Sequence, residues 1–219
     1  GRMMVQKTQP LAHGPETRCV VYVVYPDISL MDLAGPLQVF AWARDQSGAL
    51  AYDSVIVSQD GGVIASDTLL TVETVAIADS ASLCVDTLMI IGGDGVYAAA
   101  QQGAFVDAIA ALAARARRVC SVCSGAYLLA AAGALEGRRA ATHWEDAEAL
   151  QAAFPGVRVD PDPIYVRDGH VWTSAGVTAG TDMALALVAE DLGQASALDR
   201  AKSLVTYMVR PGGQSQFSP

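Results

Sequence analysis

Positive charge is scarce in this chain of 219 residues. Fourteen lysines and arginines stand against 23 aspartates and glutamates, so the formal net charge is -9. Proteins bind nucleic acids largely by neutralising phosphates with clustered lysine and arginine, and the sequence contains no such cluster. Direct contact of these residues with DNA or RNA is therefore disfavoured.

Long hydrophobic runs are also missing. The longest uncharged stretch, residues 119–135, is too short to cross a bilayer comfortably and is interrupted by serines and glycines. The first seventeen residues contain no apolar segment typical of a signal peptide. We therefore expect no membrane contact and a cytoplasmic location.

Histidine and cysteine are sparse. The three histidines are scattered along the chain and form no recognisable metal site. The four cysteines are Cys19, Cys84, Cys120 and Cys123. They lie in or beside apolar runs, which is typical of reduced, buried thiols and not of a secreted disulfide framework. We expect neither a metal nor a cofactor.

Apolar residues dominate what is present. They make up 52% of the chain, whereas charged residues contribute only 17%, below the quarter or so that is usual in globular domains. Short β-branched runs alternate with Ala/Leu-rich helical stretches, which is the pattern of a mainly parallel sheet covered by helices on both faces. The predicted strands are residues 18–24, 52–58, 86–91, 118–122, 140–142, 164–167 and 170–174, with a short hairpin over 63–71. The predicted helices are residues 30–44, 105–114, 126–132, 145–154, 179–192 and 195–208.

Neither an internal repeat nor an internal linker is visible, so one domain is predicted over residues 18–209, after an N-terminal extension over 1–17. Residues 210–219 are polar and punctuated by glycine and proline, which is typical of a linker. We expect them to begin a connection to a further domain.

The strongest candidate for chemistry is Cys123. Residues 121–125 (SVCSG) place it between a buried strand and a helix, with small residues two positions before and after. Such a sharp turn exposes a nucleophile in strained backbone geometry, where larger flanking side chains would clash. The following helix would lower the thiol pKa through its dipole. The alternatives are an ordinary buried cysteine and a redox pair with Cys120.

Two further segments could face this cysteine. Gly92 and Gly93 end the neighbouring strand and could bring backbone N–H groups to a ligand or an oxyanion, although glycines there are often simple turns. Asp32 fits a helix capping box with Ser29. It could instead direct its carboxyl at the Cys123 thiol, and the spacing leaves both interpretations open.

His143 follows a short strand twenty residues after Cys123 and could line the same crevice, or be a structural histidine. Residues 174–182 form a loop of small residues that opens a helix and includes Gly176 and Thr178. Such a helix start suits an anion or carboxylate. Thr178 could equally be an N-cap, with the glycines serving close packing.

Together these segments resemble the DJ-1/PfpI superfamily. The resemblance rests on residues 27–36 (DISLMDLAGP), the Cys123 turn followed by 128–133 (LLAAAG), 142–144 (THW) and 174–180 (SAGVTAG), which occur in family order. It covers residues 18–208. It implies a flavodoxin-like three-layer α/β sandwich, with Asp32, Gly92, Gly93, Cys123, Ser124, His143, Gly176 and Thr178 around a ligand.

Within that superfamily two branches are similar. One is isonitrile hydratase, which implies Cys123 as the nucleophile and Asp32 as the acid/base. The other is the sensor half of GlxA-type regulators of the AraC family, in which a helix-turn-helix region follows this domain. The segment 210–218 (RPGGQSQFS) resembles the junction in such regulators. The favoured interpretation is therefore a homodimeric domain that senses a small-molecule effector, with DNA bound only through a C-terminal half.

The sequence also departs from other branches of the superfamily. Members that resemble peptidases and chaperones commonly carry histidine directly after the cysteine, where this chain has Ser124. Class I glutamine amidotransferases require a downstream His-x-Glu, which is missing. Proteolysis and amidotransfer are therefore disfavoured, and oxidation sensing by Cys123 remains a third hypothesis that needs a lowered thiol pKa.

Overall fold

The computed structural model describes residues 13–208 of the chain, and side chains from residue 17 to residue 204. Its strands are β1 (His13–Val23), β2 (Leu50–Ser58), β3 (Gly62–Ala65), β4 (Thr71–Ala76), β5 (Val85–Ile90), β6 (Arg118–Val122), β7 (Arg139–Ala140), β8 (Arg158–Val159), β9 (Tyr165–Asp168) and β10 (Val171–Ser174). Its α-helices are α1 (Leu30–Trp42), α2 (Val96–Ala100), α3 (Gly103–Arg115), α4 (Gly125–Ala131), α5 (Ala147–Ala153), α6 (Val177–Leu192) and α7 (Gln194–Met208). Two short 3-10 helices span Ile77–Ser82 and Trp144–Asp146.

Eight of the described strands form one sheet in the order β3-β4-β2-β1-β5-β6-β10-β9. The strands from β4 to β10 in that order are parallel, and the edge strands β3 and β9 are antiparallel to their neighbours. The chain builds outward from β1 in one direction to β2, and then returns to β5 on the other side of β1. Ligands bind α/β sheets where the strand order reverses in this way, so the site is expected after β1 and β5.

The helices cover both faces of the sheet. Helices α1, α6 and α7 pack together, and α2, α3 and α4 form a second group. Because crossovers between parallel strands are right-handed, building the sheet in opposite directions places these groups on opposite faces. The predicted three-layer α/β sandwich is confirmed.

The burial of the strands explains why they could be recognised in the sequence. Residues 20–23 of β1 and all of β6 are buried, as expected for strands covered on both faces. Side chains such as Tyr22, Phe40 and Tyr52 are fully buried between the layers. Continuous apolar runs are the direct consequence of this double coverage.

The structure differs from the predicted elements in several places. The first strand begins at His13, not residue 18, and takes in the last residues of the predicted extension, because the backbone of His13 pairs with Leu50 whatever its side chain. In place of the predicted strand 140–142 the structure has the two-residue strand β7, which pairs with β8 outside the main sheet. Helix α2 was not predicted. The predicted linker 210–219 lies outside the described residues.

No helix in the described part of the chain is long and apolar enough to cross a membrane.

Candidate functional site

Cys123 sits at the turn between β6 and α4 in a conformation that side chains rarely adopt. Its φ is 99°, in the left-handed region that costs a non-glycine residue about 1–3 kcal/mol. A Cβ added to Gly125 would lie 2.5 Å from the carbonyl oxygen of Ile90. A small residue is therefore required two positions after the cysteine, which confirms the predicted strained turn.

The backbone around Cys123 is fixed by the segment that precedes the short 3-10 helix. The Thr142 hydroxyl donates to the carbonyl oxygen of Cys123 at 2.6 Å, and the His143 N–H donates to the same oxygen at 3.3 Å. These two bonds bring His143 to the cysteine. The imidazole Nδ1 accepts a bond from the Glu145 N–H at 3.2 Å.

Asp32 lies on the first turn of α1 and is 1% exposed. Ser29 begins that helix without a side-chain cap bond to its backbone; instead the carboxylate of Asp67, in the hairpin connection, accepts from the Leu30 N–H at 3.0 Å. The capping-box interpretation of Asp32 is therefore wrong. Its carboxyl interacts with the thiol of Cys123 and the hydroxyl of Ser29.

Burial sets the protonation of this pair. It raises the pKa of Asp32 to about 6, against the opposing effect of its hydrogen bonds with Cys123 and Ser29. Burial also raises the pKa of the Cys123 thiol well above its ordinary value, and the charge and hydrogen bond of Asp32 raise it further. The backbone N–H of Ser124 opposes this shift but does not outweigh it. The thiol is therefore held protonated beside the Asp32 carboxyl group.

The expectation that the helix start lowers the Cys123 pKa is therefore wrong. The helix dipole acts on a residue that is only 8% exposed, where the loss of hydration disfavours the thiolate more strongly. A neighbouring carboxylate adds like-charge repulsion. Oxidation sensing, which depends on a lowered thiol pKa, loses its physical basis.

Gly92 and Gly93 have different roles from those predicted. A Cβ on Gly92 would lie 2.7 Å from the Val122 carbonyl oxygen and 2.8 Å from Asp32 Oδ2, so Gly92 allows close packing behind the site. The N–H of Gly93 donates to Ser124 Oγ at 2.9 Å. It is thus engaged by the protein and is not open to an oxyanion.

A cavity of about 290 Å³ opens over these residues at the carboxyl ends of β1, β5 and β6. Its lining consists of Asp27, Ser29, Asp32, Asp67, Gly93, Asp94, Tyr97, Cys123, Ser124, His143, Glu145, Asp146 and Val177. Five predicted site residues are thus brought together, namely Asp32, Gly93, Cys123, Ser124 and His143.

The other three predicted site residues do not line the cavity. Gly92 is buried behind it, as described above. Gly176 is the N-cap of α6, and a Cβ there would lie 3.7 Å from Cys123 Sγ, so Gly176 borders the site without lining it. Thr178 lies one residue further along α6 than Val177, is exposed, and is not the N-cap.

Sequence reasoning missed the acidic character of this cavity. Asp94 follows the end of β5 and Asp27 follows β1, so their positions at strand ends could have revealed them. Asp67 comes from the hairpin connection and gave no comparable signal. Among the described residues, no group of histidine, cysteine, aspartate and glutamate side chains is arranged to hold a metal ion.

An α/β sheet of this strand order, with a strained cysteine at the turn after β6 and an acid facing it from α1, defines a particular class of protein. The DJ-1/PfpI family model matches residues 18–190. The chain belongs to the DJ-1/PfpI family.

Curated relatives fall in both expected branches. The chain is 35% identical over 173 residues to an isonitrile hydratase from Pseudomonas putida, covering 78% of this chain and 71% of that protein. It is 31% identical over 173 residues to the HTH-type transcriptional regulator GlxA from Rhizobium meliloti, covering 78% of this chain and 52% of the regulator. The chain thus spans about half the length of that regulator.

Among solved structures, a ThiJ/PfpI family protein from Pseudomonas syringae superposes with a TM-score of 0.77 at 30% identity, covering 94% of this chain and 85% of that one. This similarity in structure agrees with the family assignment.

Proposed function

We propose that this chain is the effector-sensing and dimerising domain of an AraC-family transcription regulator, and that the cavity over Cys123 binds a small metabolite. The observation that carries this proposal is the state of Cys123. A thiol that burial and the neighbouring Asp32 carboxylate hold protonated is a poor nucleophile, because the thiolate is the reactive form. The similarity to GlxA supports the same assignment.

The connection between β3 and β4 links the cavity to the surface. Asp67 lines the cavity and caps α1 through the Leu30 N–H. Leu69 and Leu70, two and three residues later, are exposed, as is Met31 on the adjoining first turn of α1. Exposed apolar patches of this kind are typical of protein interfaces. A second copy of the chain at this surface would place the dimer contact beside the ligand.

Binding would then regulate by favouring one arrangement of the dimer over another, because a ligand shifts an equilibrium only through its differential affinity for the two states. DNA would be contacted by a C-terminal helix-turn-helix region, as the GlxA-type relatives suggest. The acidic charge of the present residues is compatible with this division of roles.

The experiment has two stages. Thermal shift of the domain against a metabolite panel identifies ligands, and a fusion of the domain to a downstream DNA-binding half then reports operator affinity with and without each ligand. We expect the ligands that raise the melting temperature to change operator affinity. Ligands that stabilise the domain but leave operator affinity unchanged would refute the sensing role.

The second candidate is an enzyme that hydrates isonitriles, favoured by the pairing of Cys123 with an acid whose pKa is about 6. Asp32 would take the thiol proton as sulfur attacks the isonitrile carbon, and would return it to that carbon. Addition of water and release of the formamide would regenerate the thiol. Turnover of an aryl isonitrile that disappears in Cys123→Ala would establish this activity; no turnover in the wild type would exclude it.

A further inference from the structure

Two of the four cysteines lie side by side on the neighbouring strands β1 and β5. Cys19 on β1 pairs with Val85, the first residue of β5, and Cys84 directly precedes Val85. Neighbouring strands are about 4.8 Å apart, and each residue advances a strand by about 3.3 Å. The Cα atoms of Cys19 and Cys84 are therefore about 6 Å apart, inside the range of about 4.4–6.8 Å that a disulfide spans.

The two side chains also share a face of the sheet. Cys19 pairs with Asp53 on β2, and Asp86 stands two positions after Cys84, the spacing that returns an extended chain to the same face. The pKa of the Cys19 thiol is raised to about 11, by burial first and then by the charges of Asp53, Asp86 and Cys84. Such charge effects act over short distances. The thiol of Cys84 therefore lies near that of Cys19.

Cys84 is open to reagents in solution. The structure describes all four cysteines, and among them Cys84 is exposed, Cys19 is partly buried, and Cys120 and Cys123 are buried. The expectation that these thiols are buried is therefore wrong for Cys84. It lies between the 3-10 helix Ile77–Ser82 and β5, outside both elements. A dissolved oxidant thus reaches Cys84 before the other thiols.

The other two cysteines cannot replace either partner. Cys120 is on β6, which β5 separates from β1, so it lies about 10 Å or more from Cys19. Cys120 also pairs with Met89, well beyond Cys84 along β5. Cys123 lines the cavity at the carboxyl ends of the strands. Cys19 and Cys84 are thus each other's available partners.

We propose that Cys19 and Cys84 are a thiol pair that a small disulfide, such as glutathione disulfide, converts to an intramolecular disulfide. The Cys84 thiolate attacks one sulfur of glutathione disulfide, and the glutathione thiolate that leaves takes up a proton in place of the one that Cys84 lost. Cys19 then gives up its proton and attacks Cys84 Sγ, and the second glutathione leaves and is protonated. Two protein thiols are oxidised to one disulfide, and glutathione disulfide is reduced to two thiols.

The surroundings of Cys19 make this exchange slow in both directions. Reduction by an external thiol at the exposed Cys84 Sγ must expel Cys19 as a thiolate. Burial and the carboxylates of Asp53 and Asp86 disfavour that thiolate, and a thiol of higher pKa leaves more slowly. The same effect slows formation of the bond, which we expect over minutes to hours without a catalyst. The pair therefore responds to sustained oxidation and not to brief changes.

The bond would close a loop that begins at Cys19, ends at Cys84 and contains α1 and the strands β2, β3 and β4. Closing a long loop restricts the unfolded chain. We therefore expect oxidation to raise the Tm by about 5–15 °C. The pair lies toward the amino ends of the strands, whereas the cavity over Cys123 lies at their carboxyl ends. The inference is thus independent of the proposed function.

The test is oxidation of the whole native chain in glutathione buffers of graded ratio, followed by alkylation and mass spectrometry of unreduced peptides. We expect a peptide pair joined through Cys19 and Cys84, a higher Tm, and recovery of both thiols with dithiothreitol. No bond, glutathione left on Cys84, a bond to Cys120 or Cys123, or a Cys84–Cys84 bond between two molecules would overturn the proposal. An unchanged or lowered Tm would also overturn it, because the fold would not accommodate the bond.

Variants separate the two steps of the exchange. We expect Cys19→Ser to retain one glutathione on Cys84, because the second step then has no thiol, and Cys84→Ser to leave Cys19 unmodified. Cys120→Ala is the matched control and should form the Cys19–Cys84 bond in the same buffers as the wild type. Cys19→Ser that stays free of glutathione where the wild type is oxidised would show that Cys84 is not the point of entry, and would refute the mechanism.

Discussion

Cys123 and Asp32 control each other's protonation. The thiol is protonated because it is buried and because the Asp32 carboxylate lies beside it, while burial brings the pKa of Asp32 to about 6. The pKa of neither side chain could be predicted from its position in the sequence alone.

Replacement of Asp32 by asparagine should make Cys123 more reactive. It removes the negative charge and the hydrogen bond that raise the thiol pKa, and each pKa unit changes the thiolate population tenfold. We expect alkylation of Cys123 by iodoacetamide at pH 8 to accelerate about tenfold. The rate is measured by mass spectrometry of the peptide that contains Cys123. The control Asp60→Asn should leave the rate unchanged. An unaltered rate in Asp32→Asn would show that burial alone sets the thiol pKa.

The same substitution should stabilise the fold at neutral pH. The folded-state pKa of Asp32, about 6, lies above its ordinary value of 3.8, so the native state binds the proton more tightly than the unfolded state. Ionised Asp32 therefore destabilises the fold above about pH 6, and this cost disappears as pH falls below the unfolded value. We expect Asp32→Asn to raise the free energy of unfolding by roughly 1–3 kcal/mol at pH 7 and by little at pH 4.

Urea titrations of both proteins at the two pH values measure that difference. An equal gain at pH 7 and pH 4 would mean that the effect comes from packing and not from the charge of Asp32.

At the scale of secondary-structure elements, close backbone approach brings β5, α1 and the β6 turn together. Gly92 has three neighbours within 3 Å of the position of an added Cβ, on Val122, Asp32 and Cys123. Two of these neighbours are backbone or Cβ atoms that cannot rotate away. The position must therefore remain without a side chain for the site to form.

Gly92→Ala should consequently destabilise the protein by about 1–3 kcal/mol, the usual cost of overpacking. Gly103, at the start of α3, has open space where a Cβ would go and no positive φ, so Gly103→Ala is the matched control. It should be neutral or stabilising by up to about 1 kcal/mol. Thermal and urea unfolding of both variants measure the contrast. Similar losses in the two variants would refute the packing argument.

The end of α6 is attached to the sheet by a buried ion cluster. Asp191, with a side chain 1% exposed, accepts bonds from Arg18 on β1, Arg118 on β6 and the Tyr52 hydroxyl on β2, as well as from Arg117. These partners hold the pKa of Asp191 below its ordinary value, although burial acts in the opposite direction. The cluster joins a helix to three interior strands of the sheet. It lies toward the amino ends of these strands, whereas the cavity lies at the carboxyl ends.

Asp191→Asn should therefore cost about 3–5 kcal/mol, because it removes the buried carboxylate that is bonded to the buried Arg118. Asp160 pairs with Arg139 on the surface, so the control Asp160→Asn should cost no more than about 1 kcal/mol. Chemical denaturation at neutral pH compares the two. A cost for Asp191→Asn no greater than that for Asp160→Asn would show that the buried cluster contributes little net stability.

At the scale of the whole molecule, the surface around the β3–β4 connection is the proposed dimer interface. Leu70→Asp should abolish dimerisation, because it places a charge at an exposed apolar position of the proposed interface. Leu198 on α7 is exposed to a similar degree, and Leu198→Asp is the control that should remain dimeric. Light scattering during size exclusion measures the mass of each variant. A dimeric Leu70→Asp, or a monomeric wild type, would refute this interface.

Much of the fold could be predicted because it rests on local patterns. Continuous apolar runs identified β6 with its exact bounds, and the small residues around Cys123 identified the strained turn. Helix α2 and strand β8 were not predicted, because the first has five residues and the second has two. Elements so short carry too few residues for a periodicity to be read.

The candidate site was predictable only in part. Asp32, Cys123 and His143 were identified together, since each follows or faces the carboxyl end of a strand. The roles of Gly93 and Thr178 were not, because the first gives its N–H to Ser124 and the second lies beyond the true N-cap of α6. Both depend on atomic positions that spacing does not specify.

The sequence by itself determined the α/β class, the strained cysteine turn and the scarcity of positive charge, since these follow from composition and from patterns within a few residues of one another. Only the tertiary structure decided the chemistry of the site. It buried the thiol against a carboxylate ninety-one positions earlier in the chain, which raises the thiol pKa where the local helix alone would lower it. It also gathered six separated carboxylates around one cavity, because electrostatic effects depend on distance in space and not on distance along the chain.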